Sequence, residues 1–416
     1  MQKVIVPWQR WFEEKQIELA FPDQWNINFA DEIIKIADIG KKGIEAAFES
    51  PIGTKALSEL ALRRNNAVIA IDDISRPTPT FRFINYVIQE LIKGGINQSK
   101  IKIIIASGAH RQSTRQELIP KLGSSIIENY NIIHHVPYEN LIDLGNTKFG
   151  TPIKTNRDFF EGDLKIAIGS IMPHPTAGFG GGRKLISVGF SSVQTLQTFH
   201  SRDEGWNRTG FINGNIQHED LDEIMHKIGL DVVVEVILTG TSGVAALVVG
   251  DPTQCFKEGI KKAWKIYKTH MPKNNDIVFI NAYPKDLDLL QACNALWVSF
   301  FPNIDIVRAG GTVVCLAACP DGEGLHYLSS YGMSDPVNFA ESSFQGRDLF
   351  IYSPNLNNFD IKKHFPKNVR GFRNWEDLLK ELQKKHTGIP NVLVLPCGPL
   401  HLNPENFGMG PFPVLS

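Results

Sequence analysis

Short apolar runs bounded by turn residues recur along the chain. Residues 67–71 read Ala-Val-Ile-Ala-Ile and end in Asp72-Asp73. Residues 101–107, Ile-Lys-Ile-Ile-Ile-Ala-Ser, lead into Gly108-Ala109-His110-Arg111. A third run, Lys165 to Ile168, leads through Gly-Ser-Ile-Met-Pro to His174. Runs of this length and content predict buried strands. Helical stretches are predicted from Phe81 to about Lys93 and from Thr253 to Tyr267. Strands at Val232–Leu238 and Gly243–Val249 complete the first series. After the polar turn at 270–276 a second series begins at Ile277–Ile280. It continues with strands at Thr312–Leu316, Leu349–Tyr352 and Val392–Leu395, and helices near Leu287–Phe300 and Trp375–Lys385. This alternation predicts two α/β domains with mainly parallel sheets, residues 1–270 and 271–416. The Pro- and Gly-rich tail from Pro396 carries no clear pattern.

Composition narrows the function classes. The chain has 416 residues and a formal net charge of −1, which gives no electrostatic case for nucleic acid or an anionic membrane. Its five cysteines lack C-x-x-C pairs, which argues against a disulfide framework or a cysteine zinc site. No apolar run approaches the ~20 residues of a membrane span, and the first residues lack the apolar core of a signal peptide. The expectation is a cytoplasmic enzyme acting on a small molecule.

Three predicted strands thus end in ionisable loops, where open α/β sheets place their ligands. The third loop continues as His174-Pro-Thr-Ala-Gly-Phe-Gly-Gly-Gly-Arg-Lys184, with His200 beyond it. Glycines allow close backbone approach to a ligand, and a lysine can pair with phosphate or bond covalently to a cofactor. The same segment could be a phosphate loop, but it lacks the G-x-x-x-x-G-K-[ST] sequence, and it is not a G-x-G-x-x-G fingerprint. Asp72 and Asp73 could simply cap the next element. His134-His135 cannot easily share one ion, because adjacent strand residues face opposite ways. His218 reads as structural or supporting.

Taken together, these loops resemble the lactate racemase family, the nickel-pincer-nucleotide-dependent 2-hydroxy acid racemases and epimerases. The resemblance rests on Asp72-Asp73-Ile74-Ser75-Arg76-Pro77-Thr78-Pro79, Gly108-Ala109-His110-Arg111, His174-Pro175 through Lys184, His200, Gly214-Asn215 through His218-Glu219-Asp220, and Tyr283-Pro284-Lys285-Asp286 through Gln291. It implies that Lys184 forms a thioamide with the pyridinium cofactor and that His200 is the protein ligand of nickel, whose other donors belong to the cofactor. It implies that His110 and His174 are paired acid/bases. Asp73, Ile74, Ser75 and Arg76 would contact the cofactor, Arg76 also the substrate, and Gln291 the substrate. Cofactor-synthesis and nickel-insertion proteins would be partners.

One position departs. Three residues after the glutamine the family carries a carboxylate-binding lysine, and here stands Asn294. An amide both donates and accepts hydrogen bonds. Arg76 could then take more of the carboxylate, bidentately. Alternatively the substrate is larger and more hydroxylated than lactate, such as a sugar acid, or Lys285 fills the role. Inversion at C2 suits hydride removal to a keto acid, because the α-hydrogen beside a carboxylate is a very poor acid. Two histidines could serve the two faces. A lactate racemase proper and a non-catalytic cofactor-binding relative are the alternatives. With His110, His174, Lys184 and His200 in the first domain and Gln291 and Asn294 in the second, an interdomain active-site cleft is expected.

Overall fold

The structure, a computed structural model, describes residues 1–11, 15–201, 209–328 and 339–407. It divides into two compact α/β units. The central unit comprises Ala37–Met172 and Thr176–Ile266; the flanking unit comprises Met1–Ile36, Pro173–Pro175 and Tyr267–Ser416. Numbered along the chain, the strands of the two large sheets begin with β1 (Asn26–Phe29), β2 (Ala67–Asp72), β3 (Ile101–Ala106), β4 (Asn131–His134), β5 (Leu164–Ser170) and β6 (Val232–Leu238). They continue with β7 (Val244–Gly250), β8 (Asn275–Asn281), β9 (Val307–Leu316), β10 (Asp348–Tyr352), β11 (Arg370–Phe372) and β12 (Asn391–Leu395).

The central sheet runs in the order β7-β6-β5-β2-β3-β4 and is parallel except for β7. Every residue of β2 is buried, as expected of a parallel strand covered on both faces, which is why it reads as an uninterrupted apolar run. From β2 the chain adds β3 and β4 on one side, then returns to add β5 and β6 on the other. Such a reversal opens a crevice beyond the carboxyl end of the first strand. The loops after β2, β3 and β5 are those that carry Asp73, His110 and the glycine-rich turn.

The flanking sheet repeats the plan. Its order is β11-β10-β9-β8-β12-β1, all parallel. Here β8 is the reversal point, with β9 and β12 on either side, and the segment after it carries Lys285, Gln291 and Asn294. One face of β8 packs Val278 and Ile280 against Leu289, Leu296 and Phe300. The other packs Ile277 and Phe279 with Val6, Trp8, Phe21, Trp25 and Leu378. The Phe21 ring meets Phe279 and Trp375 edge-on at 5.2 and 5.5 Å. A fully buried Phe or Leu contributes about 1.5–3 kcal/mol, so this aromatic face is a main source of the unit's stability.

A division at residue 270 does not describe this arrangement, because the first 36 residues group with the C-terminal part. The hairpin Gln2–Trp8/Lys15–Phe21 covers one face of the flanking sheet, and β1 extends that sheet beside β12. Alternating strands this short announce a half-buried surface, not which distant sheet they will cover. The helix expected at Leu287–Phe300 is also broken. Asp288 caps a short helix at Leu289–Ala292, and wider helical turns follow over Leu296–Phe300. The tail closes on its own unit: Leu402 bridges Lys268, and His401 bonds Thr269 at 2.8 Å. Residues 408–416 lie outside the described residues. No described helix is long and apolar enough to cross a membrane.

Candidate active site

The loop after β2 folds around two carboxylates. Asp72 faces inward, where it meets the fully buried Lys121 at 2.6 Å and accepts from Thr78. Burial pushes the Asp72 carboxyl up against the pull of Lys121. Lys121 also donates to the carbonyls of Arg76 (3.0 Å) and Thr78 (3.4 Å). One buried ammonium therefore fixes both ends of the turn that presents Asp73, Ser75 and Arg76. Unmatched burial of such a charge would be strongly destabilising. Ile74, expected at the cofactor, is a buried apolar residue within this turn.

Asp73 turns toward the loop after β3. One of its oxygens accepts the Ser75 amide at 2.7 Å, and the other lies 2.8 Å from His110 Nδ1. Ser75 Oγ is 3.0 Å from the same nitrogen, and Arg76 donates to Ser75 Oγ at 2.8 Å. Burial works to raise Asp73, but His110, Arg76 and Ser75 hold it well below the usual carboxylate range. For His110, burial lowers the pKa, Asp73 opposes it, and the charges of Arg76 and Lys184 lower it further. An Nδ1 proton directed at the Asp73 carboxylate leaves Nε2 as the basic atom. The imidazole is thereby held neutral, oriented and able to take a proton.

The glycine-rich turn follows β5. Gly180 donates to the Met172 carbonyl at 2.8 Å, and Gly182 donates to the buried Glu235 at 2.6 Å. Gly178 has φ +75°, and a Cβ there would lie 2.1 Å from the Phe211 carbonyl oxygen. A side chain at Gly181 would meet Glu235 at 2.7 Å. The turn opens a short helix, α1 (Gly182–Ser187), that carries Lys184. Burial, with the Arg76 charge, lowers the Lys184 ammonium to about 7. Such an amine is substantially neutral at physiological pH, as a nucleophile must be. Its neighbour Arg183 is engaged elsewhere, over the Phe256 ring and in an ion pair with Asp222. His218 stacks on the same ring, in keeping with a structural role.

His200 ends the helix α2 (Val193–His200). Its Nδ1 lies 2.7 Å from the Leu196 carbonyl, so Nδ1 carries the proton and Nε2 offers its lone pair. The side chain is open to solvent on one side. Surrounding protein, then the Lys184 and His110 charges, push its pKa down to about 4. A neutral imidazole with a fixed tautomer suits a metal. Among the described residues no group of three or more His, Cys, Asp or Glu could hold an ion. A single histidine suits a metal whose other donors come with a bound organic group. The residues present fit a lysine-anchored group that brings its own metal donors.

The structure thus brings Asp73, Ser75, Arg76 and His110 into one bonded cluster, with Lys184 and His200 in electrostatic reach of it. His174 is half-buried and lies on Pro173–Pro175, which groups with the flanking unit. In that unit, Asn294 bonds the Gln291 carbonyl at 2.9 Å and accepts from Lys285 at 3.2 Å. His135 is a core residue, bonded to the Ser191 carbonyl at 2.9 Å. Lys121 and Glu235 were not anticipated. Glu235 did leave a signal, a carboxylate inside the apolar run Val-Val-Val-Glu-Val-Ile-Leu. Lys121 left none, because nothing in Arg115–Leu122 sets this lysine apart from a solvated one.

The chain is similar to known proteins. Residues 12–209 match the model of the lactate racemase N-terminal domain. A lactate racemase from Thermoanaerobacterium thermosaccharolyticum is 31% identical over 68% of this chain and 66% of its own length, just under two thirds. One from Lactiplantibacillus plantarum is 28% identical over 72% of each chain. The fold is that of the lactate racemase apoprotein from T. thermosaccharolyticum, with a TM-score of 0.73 and 23% identity over 97% of this chain and 100% of that one. A Thermotoga maritima protein shares it at a TM-score of 0.64 and 16% identity, over 87% of this chain and 98% of that one. The chain belongs to the lactate racemase family.

Proposed function

We propose that the chain is a racemase or epimerase that inverts C2 of a 2-hydroxy carboxylic acid, using a lysine-tethered nickel-pincer nucleotide. The observation that carries the reading is the His110–Asp73–Ser75–Arg76 cluster in electrostatic reach of Lys184, whose ammonium burial lowers to about 7. When bound, the group supplies reversible acceptance of hydride from C2. Lys184 tethers it and His200 Nε2 is the protein donor to its metal.

The remaining work falls to the chain. His110 Nε2 takes the C2 hydroxyl proton, and Asp73 stabilises the resulting imidazolium through Nδ1. Arg76, poised by its bond to Ser75, pairs with the carboxylate. His174 performs the same proton transfer for the opposite enantiomer. Asp73 and Ser75 are buried, which strengthens the interactions they make with His110 and Arg76.

The substrate is proposed to be larger than lactate, with a sugar acid the favoured class, because Asn294 replaces the family's cation by an amide. One Asn294 N–H serves the Gln291 carbonyl, and the amide's second N–H suits a substrate hydroxyl. The curated relatives bear the name of lactate racemases, so lactate is the first competitor. The enzyme would work in the cytoplasm and receive its cofactor from dedicated synthesis and nickel-insertion proteins. The test is a panel of 2-hydroxy acids, from lactate to aldonates, incubated with cofactor-loaded protein and scored for inversion at C2. Inversion of an aldonate faster than lactate is expected. No inversion of any acid would refute the reading, and a preference for lactate would refute the substrate class.

A further inference from the structure

We infer that Glu235 is the positioning residue for Lys184: it holds the backbone amide that opens the helix carrying Lys184, and so fixes where that side chain stands. The inference deepens the reading above, in which Lys184 tethers the cofactor. Glu235 is the one charged residue of β6, a strand buried along its whole length. It pairs with Gly169 of β5. Gly169 has no side chain, so the glycine-rich turn can settle on the strand there: a Cβ at Gly169 would lie 3.5 Å from the Gly182 nitrogen. The Glu235 side chain reaches across from the next strand and accepts that N–H on Oε1 at 2.6 Å.

The rest of α1 is held at matching points. Ser187 Oγ donates to the Leu221 carbonyl at 2.6 Å, which fixes the last turn. Arg183 is committed to the Phe256 ring, with its guanidinium carbon 4.3 Å from the ring centroid. The next residue of a helix points about 100° away, so Lys184 is turned off that side, and Arg76 is the cation that bears on it. Glu235 closes this clamp at its first end.

The carboxyl is costly where it stands. A buried polar group destabilises a fold unless its bonds are made. Glu235 Oε2 is buried with no hydrogen-bond partner among the described residues. An apolar side chain would suit the valine-rich run without that cost. What Glu235 adds is the bond to Gly182, two residues before the lysine. Burial is what lowers the Lys184 ammonium, so a turn that lifts from the strand would return it toward its ordinary value.

The test reads Lys184 in the full-length apoprotein. Trace acetylation with acetic anhydride across pH, quantified on the Lys184 peptide by mass spectrometry, gives the midpoint at which the amine becomes reactive. In wild type it should lie near 7. Glu235→Met should move it up by about one unit or more, which lowers the neutral amine at neutral pH roughly ten-fold. Glu235→Gln, whose amide oxygen can still accept from Gly182, should retain most of the wild-type behaviour. The fraction of chains carrying the adduct after cofactor loading, read by intact mass, should fall in the same order. A merely structural glutamate would lower the melting temperature and leave the midpoint in place. A folded Glu235→Met with an unmoved midpoint overturns the inference and leaves the functional reading standing. So does a Glu235→Gln displaced as far as Glu235→Met. A wild type that takes up no adduct overturns the tether, while the acetylation midpoints still decide the role of Glu235. Should Glu235→Met not fold, Glu235→Asp takes its place, since its shorter arm leaves the oxygen beyond hydrogen-bond range of Gly182.

Discussion

The two units share one plan and differ in what they place at the reversal point. In the central unit, the loops beyond β2, β3 and β5 hold groups that change charge: a neutral histidine on a carboxylate, and an amine lowered to about 7. In the flanking unit, the turn beyond β8 holds an amide, a glutamine and a lysine joined by hydrogen bonds. The first arrangement can move protons and form a covalent bond. The second can recognise charge and shape. Duplication of a sheet plan therefore does not duplicate chemistry, since function lies in the side chains grafted onto it. Changes in the loops beyond β2, β3 and β5, His174 among them, should act on kcat and cofactor loading, and changes in the turn beyond β8 on KM and selectivity.

The largest effect should come from Lys184→Ala. Intact mass of cofactor-loaded wild type should show an adduct that is wholly absent from the variant. An adduct of unchanged mass would place the tether elsewhere. The same lysine gives a pH signature in the apoprotein. Its ammonium falls from 10.5 to about 7 on folding, so between those values the unfolded chain binds the extra proton and stability rises with pH. Melting temperatures of Lys184→Met should lack that rise. A parallel pH dependence in the variant would show that Lys184 is not lowered.

His110→Ala and His174→Ala should each reduce inversion by on the order of 10²-fold or more, the scale of a positioned acid/base. Wild-type turnover in either would break the two-base assignment. Replacing His200 by Ala should lower bound nickel without unfolding the chain, as read by metal analysis and circular dichroism.

Asp73→Asn should cost less, roughly 10-fold in kcat, because the histidine remains but loses its orienting charge. Asp73 is held below the ordinary carboxylate value, so its ionised form stabilises the fold above about pH 4 and loses that contribution as pH falls through the lower folded value. The variant should therefore show a flatter acid limb of stability. A limb identical to wild type would mean that the His110 contact contributes nothing.

Gln291→Ala should have the smallest effect, a rise in KM of a few-fold, on the order of one neutral hydrogen bond. If it instead lowered kcat as far as His110→Ala with KM unmoved, the proposed contrast between the units would collapse.

Legibility from sequence also differed between the units. In the central unit the parallel strands are buried on both faces, so each appears as a continuous apolar run, and the polar residues at its end stand out. Val232–Leu238 could be read with its observed bounds. The order of strands could not, since nothing in a run of isoleucines says which neighbour it takes. Nor could the bond from Asp73 to His110, which joins two loops 37 positions apart. Lys121 was invisible because its burial arises from the loop that closes over it. In the flanking unit the departure at Asn294 was visible as a missing charge, but its contact with Lys285 required a turn and a broken helix. The hairpin and β1 were assigned to the wrong unit, because their partner strand lies at the far end of the sequence.

That last feature has a bearing on biosynthesis. Asn26 and Asn391, which join β1 to β12, are 365 positions apart and bonded at 2.7 Å. On a ribosome adding roughly 5–20 residues per second, the leading strand waits on the order of tens of seconds for its partner. Val6, Trp8, Phe21 and Trp25 have no sheet to cover until β8 and β9 have been made. The central unit, encoded between the two halves, can form its own sheet meanwhile. The nascent chain should thus present a folded middle and a sticky aromatic leader, which is the state in which a holdase would be needed most.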